Sequence, residues 1–248
     1  MFTLDQARAL LLESELGTDE ILFYEGLPLT APSPAVAPLP PVIPQRSTKK
    51  SLKEISVPDH RGVDQGQEIL EKMKSVATIS DLMALQREHP FYLQNKENSV
   101  LLSGSGPQPC RIVVVAGRFQ PDDFKTSIPF SGQVGAMLNE LFKSVQLSLK
   151  LCWQTALFKA NWSKRFLPRE RKLLRDFFAI ELNILSPSSL VVLGEPALEL
   201  LLDRKISLAQ TEGLSYAGVP LYPISHPLQW RQEPQLKLEA QKVLEKIQ

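Results

Sequence analysis

Four consecutive β-branched residues, Ile112-Val113-Val114-Val115, run into Ala116-Gly117 and constrain this chain more than any other stretch. Such side chains are stiff and suit a pleated strand, and an unbroken apolar run has no polar face to give to water. The stretch predicts a strand buried on both faces, which calls for a parallel sheet with helices on either side. The rest of the chain fits. Residues 149–158, 190–194 and 218–224 read as further strands. Between and after them, helices carry apolar stripes such as Val134, Leu138, Leu141 and Phe142, or Leu174, Phe177, Phe178 and Leu182. The predicted class is α/β, a three-layer α/β/α sandwich around a central four-stranded parallel sheet. In such sheets ligands bind beyond the carboxyl ends of the strands. The loop over residues 117–132 is therefore where a site is sought, with Arg118, Phe119, Asp122, Asp123 and Phe130. The last strand delivers Ser225-His226-Pro227 to the same edge.

The organisation along the chain is a helical segment over residues 1–25, a Pro-rich flexible linker over 26–66 and the sandwich over 67–248. Leu4, Ala7, Leu11 and Leu12 share a face of the first helix, which ends at Gly17. One short helix buries little alone, so it docks on the main domain or binds a protein partner. The prolines between residues 28 and 44 give a semi-rigid tether, within which Pro38-Leu39-Pro40-Pro41 also has the form of a polyproline ligand. Order is expected to resume near Gln67, with Ile69, Met73 and Val76 at helical spacing. Ser80 is the expected N-cap of a second helix, which His89-Pro90 ends with His89 at the surface.

The formal net charge of +1 argues against a general polyanion binder, and two cysteines cannot build a disulfide framework or a four-thiolate site. No stretch has the length of a membrane span and the N-terminus does not read as a signal peptide, so a cytoplasmic location follows by default. One basic stretch stands out within this balance. Lys159, Lys164, Arg165, Arg169, Arg171, Lys172 and Arg175 are interleaved with Trp162 and Phe166. Basic residues with aromatics suit a phosphate backbone and stacked bases. The same pattern also describes a solvated helix face.

Pro129-Phe130-Ser131-Gly132 after the first strand and His226-Pro227 after the last, with Thr155, Lys159 and Gly194 at strand ends between them, resemble the uracil-DNA glycosylase superfamily, and its family 4 type most. The Leu-rich first helix and Pro-rich stretch are also similar to bacterial members with an extended N-terminus. The resemblance implies a protein of DNA repair that flips a base out of single-stranded or uracil-containing DNA and reads it in a pocket. It places Phe130 as the ring that stacks on the base and His226, beside Pro227, as the donor to the leaving base. Gly117 and Arg118 fall in the loop that normally carries an acid, and Thr155-Ala156 at the strand end that normally reads the base with Asn. Asp122 and Asp123 are the acids left in the first loop. The ligand positions of the family's iron–sulfur cluster fall near residues 87–91 and on Ala160 and Leu174, none of them Cys, so no cofactor is expected. These departures imply a glycosylase-like domain with lost or strongly reduced base excision and a residual DNA- or protein-binding role. The alternatives are an active divergent enzyme and a replication accessory protein similar to the clamp-loader psi subunit.

Overall fold

The buried apolar run becomes strand β1 (Ile112–Arg118), and three parallel strands assemble beside it: β2 (Trp153–Phe158), β3 (Ser189–Leu193) and β5 (Val219–Ile224). The computed structural model describes residues 60–94, 100–162, 164–210 and 213–247. The expected helix at residues 4–16, the proline-rich tether and the Pro38–Pro41 motif lie outside them. Within the unit Pro58–Gln248, the sheet has five strands in the order β2-β1-β3-β5-β4. The fifth, β4 (Ser215–Tyr216), is antiparallel to β5 and extends the expected four-stranded sheet at its edge. It turns back through Ala217 and Gly218, both at positive φ (50° and 80°), as a two-residue hairpin requires. A two-residue strand has no period, which hides it in the sequence.

Alternation along the strands sorts the core. Val113, Val115, Leu190, Val192 and Leu221 face one layer, with α1 (His60–Lys74), α2 (Ile79–Glu88), α3 (Pro90–Leu93), α6 (Pro168–Leu185) and α7 (Glu195–Leu202). Ile112, Val114, Ala116, Val191, Leu193 and Ile224 face the other, with α5 (Gln133–Ser144) and α8 (Pro234–Leu244). The architecture is the α/β sandwich expected, with helices on both faces. Helix α1 takes up residues 60–66 as well as the expected Ile69–Met73 face. Thr78, and not Ser80, caps α2, accepting from the Asp81 amide at 3.1 Å. His89 is buried, not at the surface. Its Nδ1 accepts from the Phe91 amide at 3.1 Å and caps α3. Consecutive crossovers place β2 and β3 on opposite sides of β1, so the carboxyl ends of these strands meet at a topological switch point.

Candidate functional site

The chain leaves β1 at this switch point and folds at once into a short helix, α4 (Pro121–Thr126). Asp123 locks that loop. It is 1 % exposed, its Oδ2 accepts from the Gln120 amide at 2.8 Å, and its Oδ1 accepts from the Ser131 amide at 2.8 Å. Burial pushes its carboxyl above the usual range against the opposing pull of these bonds. Asp122 lies outside on the surface, where Lys125 donates to it at 2.9 Å. The two acids anticipated for the site thus divide into a loop tie and a surface ion pair.

Phe130 closes the same loop with φ at 52°, in the left-handed region. A Cβ on Gly135 would lie 1.6 Å from the Phe130 carbonyl oxygen, so Gly135 is what lets α5 sit against this turn. The ring of Phe130 is buried and lies 6.3 Å from that of Phe119. Gly117 is half-buried, and a Cβ there would meet Ala197 at an ordinary 3.8 Å. Ala156, fully buried within β2, belongs with Phe119 and Leu102 to a small apolar cluster of its own.

His226 follows β5 and caps the short 3-10 helix Pro227–Arg231. Its Nδ1 accepts from the Leu228 amide at 3.4 Å while Gln229 Oε1 accepts from the His226 amide at 3.1 Å. Burial lowers its pKa to about 4, so the ring is neutral near pH 7. An accepting Nδ1 leaves the proton on Nε2. Pro227 is buried as the first residue of that helix. Gly194, at φ 82°, lets the end of β3 pass beside His226.

Three side chains expected at this site are engaged elsewhere. Thr155 faces α6, donating to Glu181 Oε1 at 2.9 Å and accepting from Lys159 Nζ at 2.5 Å. Lys159 is 3 % exposed and pairs with Glu181 Oε2 at 2.9 Å, so it is not part of a DNA-facing surface. That second contact is off the direction of a hydrogen bond and is electrostatic in kind. The Arg118 guanidinium lies over Phe158 and Phe166 at 5.1 and 5.2 Å and donates to the Lys164 carbonyl at 2.8 Å. Its charge is taken up by the β2–α6 connection and does not stand free beside a substrate. Lys164 pairs with Glu170 at 2.6 Å, and its ammonium sits 5.5 Å from the Phe91 ring centre. Of the four cations named for DNA, Arg165 and Arg169 are the exposed ones.

The residues at the cluster positions do not fit an iron–sulfur group. Phe91, Ala160 and Leu174 are buried carbon side chains within one core, where Phe91 is 6.1 Å from Phe158 and 6.3 Å from Phe166. Cys110 and Cys152 lie elsewhere, flanking the starts of β1 and β2, and among the described residues no group of three or more His, Cys, Asp or Glu side chains could hold a metal.

No family model matches the chain. The chain is similar in sequence to a curated protein. The type-4 uracil-DNA glycosylase of Thermotoga maritima is 28 % identical over 145 residues, covering 56 % of this chain and 73 % of that protein. The likeness reaches the uracil-DNA glycosylase superfamily, and the α/β fold agrees with it. Among the described residues, no helix is long and apolar enough to cross a membrane.

Sequence reasoning passed over Glu181 and gave Phe119 no role of its own. Glu181 had a signal: it falls on the apolar stripe of α6 with Leu174, Phe177 and Leu185, where a charge needs a buried partner.

Proposed function

We propose that this protein is a uracil-DNA glycosylase-like protein of DNA repair whose edge site no longer excises bases and whose remaining role is to bind DNA. The observation that carries this reading is the state of Asp123. Base excision needs a carboxylate able to position water or steady a positive sugar. Here the buried acid of the first loop has both oxygens committed to backbone amides. Ala156 offers no hydrogen bond at the position where the base would be read, and a site without that bond loses discrimination. Arg165 and Arg169 provide exposed charge for the backbone. The packing of Phe91 against Phe158 and Phe166 supports a domain that has no need of an iron–sulfur cluster.

A second reading, an active divergent glycosylase, is favoured by one feature: among the described residues His226 Nε2 has no hydrogen-bond partner, while Phe130 keeps its left-handed turn. Single-turnover release of uracil from single- and double-stranded DNA, with protein in excess, separates the two. The expected result is no release above background. Release that disappears in His226→Asn would overturn the proposal in favour of the second reading.

A further inference from the structure

Phe119 is the first residue after β1 and is 6 % exposed. It groups with Leu102 and Ala156 in an apolar cluster separate from the two main cores, and Phe124 packs against that cluster with its ring edge-on to Phe119 at 6.1 Å. On the other side, the Phe130 ring lies 6.3 Å away, tilted by 58°. Phe119 therefore connects Ala156, in the carboxyl half of β2, to Phe130, the aromatic wall of the edge site. Both faces of the sheet already have their own cores without this ring. The wall is also held independently of it: the turn at Phe130 is fixed by the close approach of Gly135 and by Asp123 holding the Ser131 amide. A phenyl ring has the thickness and nearly the outline of a pyrimidine and buries its faces against aromatic neighbours in the same way.

We infer that Phe119 is a built-in occupant of a base slot, and that its ring fills the place alongside Ala156 and Phe130 that a planar, pyrimidine-sized ring would take. This rests on the glycosylase-like reading of the edge. Removing the ring opens a slot lined with apolar groups, and such engineered cavities stay dry and take up benzene. Restoring an amide at Ala156 gives the opened slot a partner for the polar edge of uracil.

The test uses the full chain as wild type, Phe119→Ala, Phe119→Ala with Ala156→Asn, and Phe124→Ala as control. Free benzene and free uracil are the probes, with melting temperature and titration calorimetry as readouts. Phe119→Ala melts below wild type and is raised again by benzene in a saturable way, by about 5 °C or more at roughly a hundredfold excess over Kd. The double variant responds to uracil. Wild type and Phe124→Ala respond to neither. The inference is overturned if folded Phe119→Ala ignores benzene, if wild type takes either ligand as well as the variants do, or if the double variant takes benzene but not uracil, which makes the space a plain cavity. If Phe119→Ala does not fold, Phe119→Val is put through the same criteria. Uracil release from DNA by wild type, with uracil bound by the double variant, leaves the slot standing and removes the claim of lost activity. No release by wild type and no ligand in either variant leaves that claim standing and removes the slot.

Discussion

Replacing Lys159 by Met should unfold this domain more readily without touching the DNA affinity proposed for it. The ammonium is 3 % exposed, pairs with Glu181 at 2.9 Å and donates to Thr155 at 2.5 Å. Glu181 is 1 % exposed and also accepts from Trp153 Nε1 at 2.8 Å and Thr155 Oγ1 at 2.9 Å. Methionine keeps the length of the side chain and removes the charge, leaving a buried carboxylate with two neutral donors. Breaking a buried pair from one side costs about 3–5 kcal/mol, against about 5–15 kcal/mol for a whole domain. At about 2–4 °C per kcal/mol for a domain of this size, the melting temperature should fall by roughly 6–20 °C. Lys159→Met with Glu181→Gln should recover much of this, because the amide oxygen still serves Trp153 and no lone charge remains. Melting by circular dichroism and a single-stranded DNA titration well below the transition check both halves. A Lys159→Met variant that melts like Lys172→Met, a surface control paired with Asp176, or one that stays folded and loses DNA, would refute the reasoning and return Lys159 to the surface.

Arg165→Glu with Arg169→Glu should abolish weak, salt-dependent binding of single-stranded DNA while leaving the melting temperature within about 2 °C, since exposed substitutions change stability little; unchanged binding makes this stretch a solvated face. Stability should also fall as the pH drops from 6.5 toward 4. Burial lowers His89 and His226 to about 4. In that window the unfolded chain, with histidine near 6.5, binds more protons than the native one, so acid favours unfolding. His89→Asn should flatten the part of the slope between pH 6.5 and 5, where exposed carboxylates are still ionised, and a flat wild-type profile there would show that neither imidazole is desolvated.

The layers of this fold were legible because they rest on period. The run Ile112–Val115 announced a strand covered on both sides, and the stripes of α5 and α6 announced which residues would cover it. The packing and bonding of the residues expected at the site were not legible. Asp123, Arg118 and Lys159 are polar residues at or near strand ends, the place where function is expected. Yet a polar side chain there can be turned inward to satisfy backbone amides, carbonyls or another buried charge. Sequence adjacency does not encode that turn. Lys159 needed Glu181, on the following helix, and Arg118 needed the carbonyl of Lys164 in the β2–α6 connection. Phe119 illustrates the reverse. Scattered aromatics in a loop give no period, and the significance of Phe119 arises from Ala156, a residue whose small size matters only once a ring lies beside it.

The two His-Pro pairs of the chain show how far local chemistry accounts for a motif. His89 and His226 adopt nearly the same backbone, φ −68° and −65° with ψ 133° in both, and each uses Nδ1 to accept the amide two residues on. Capping a proline-led helical turn therefore explains the rotamer and the accepting nitrogen at both places. The pairs part at Nε2. The His89 ring is packed inside the fold, where a Cβ on Gly66 would lie 3.3 Å from its Nε2. At His226 the same nitrogen has no partner among the described residues, although the ring is held neutral by burial and stands at the carboxyl end of β5, next to the end of β3. A cap alone needs only Nδ1, and Asn or Ser would serve it as well. What distinguishes His226 is a fixed, neutral N–H donor at the switch point. On the proposed reading, the edge keeps a donor for a ligand even though its acid is tied into the loop and Phe119 fills the base slot.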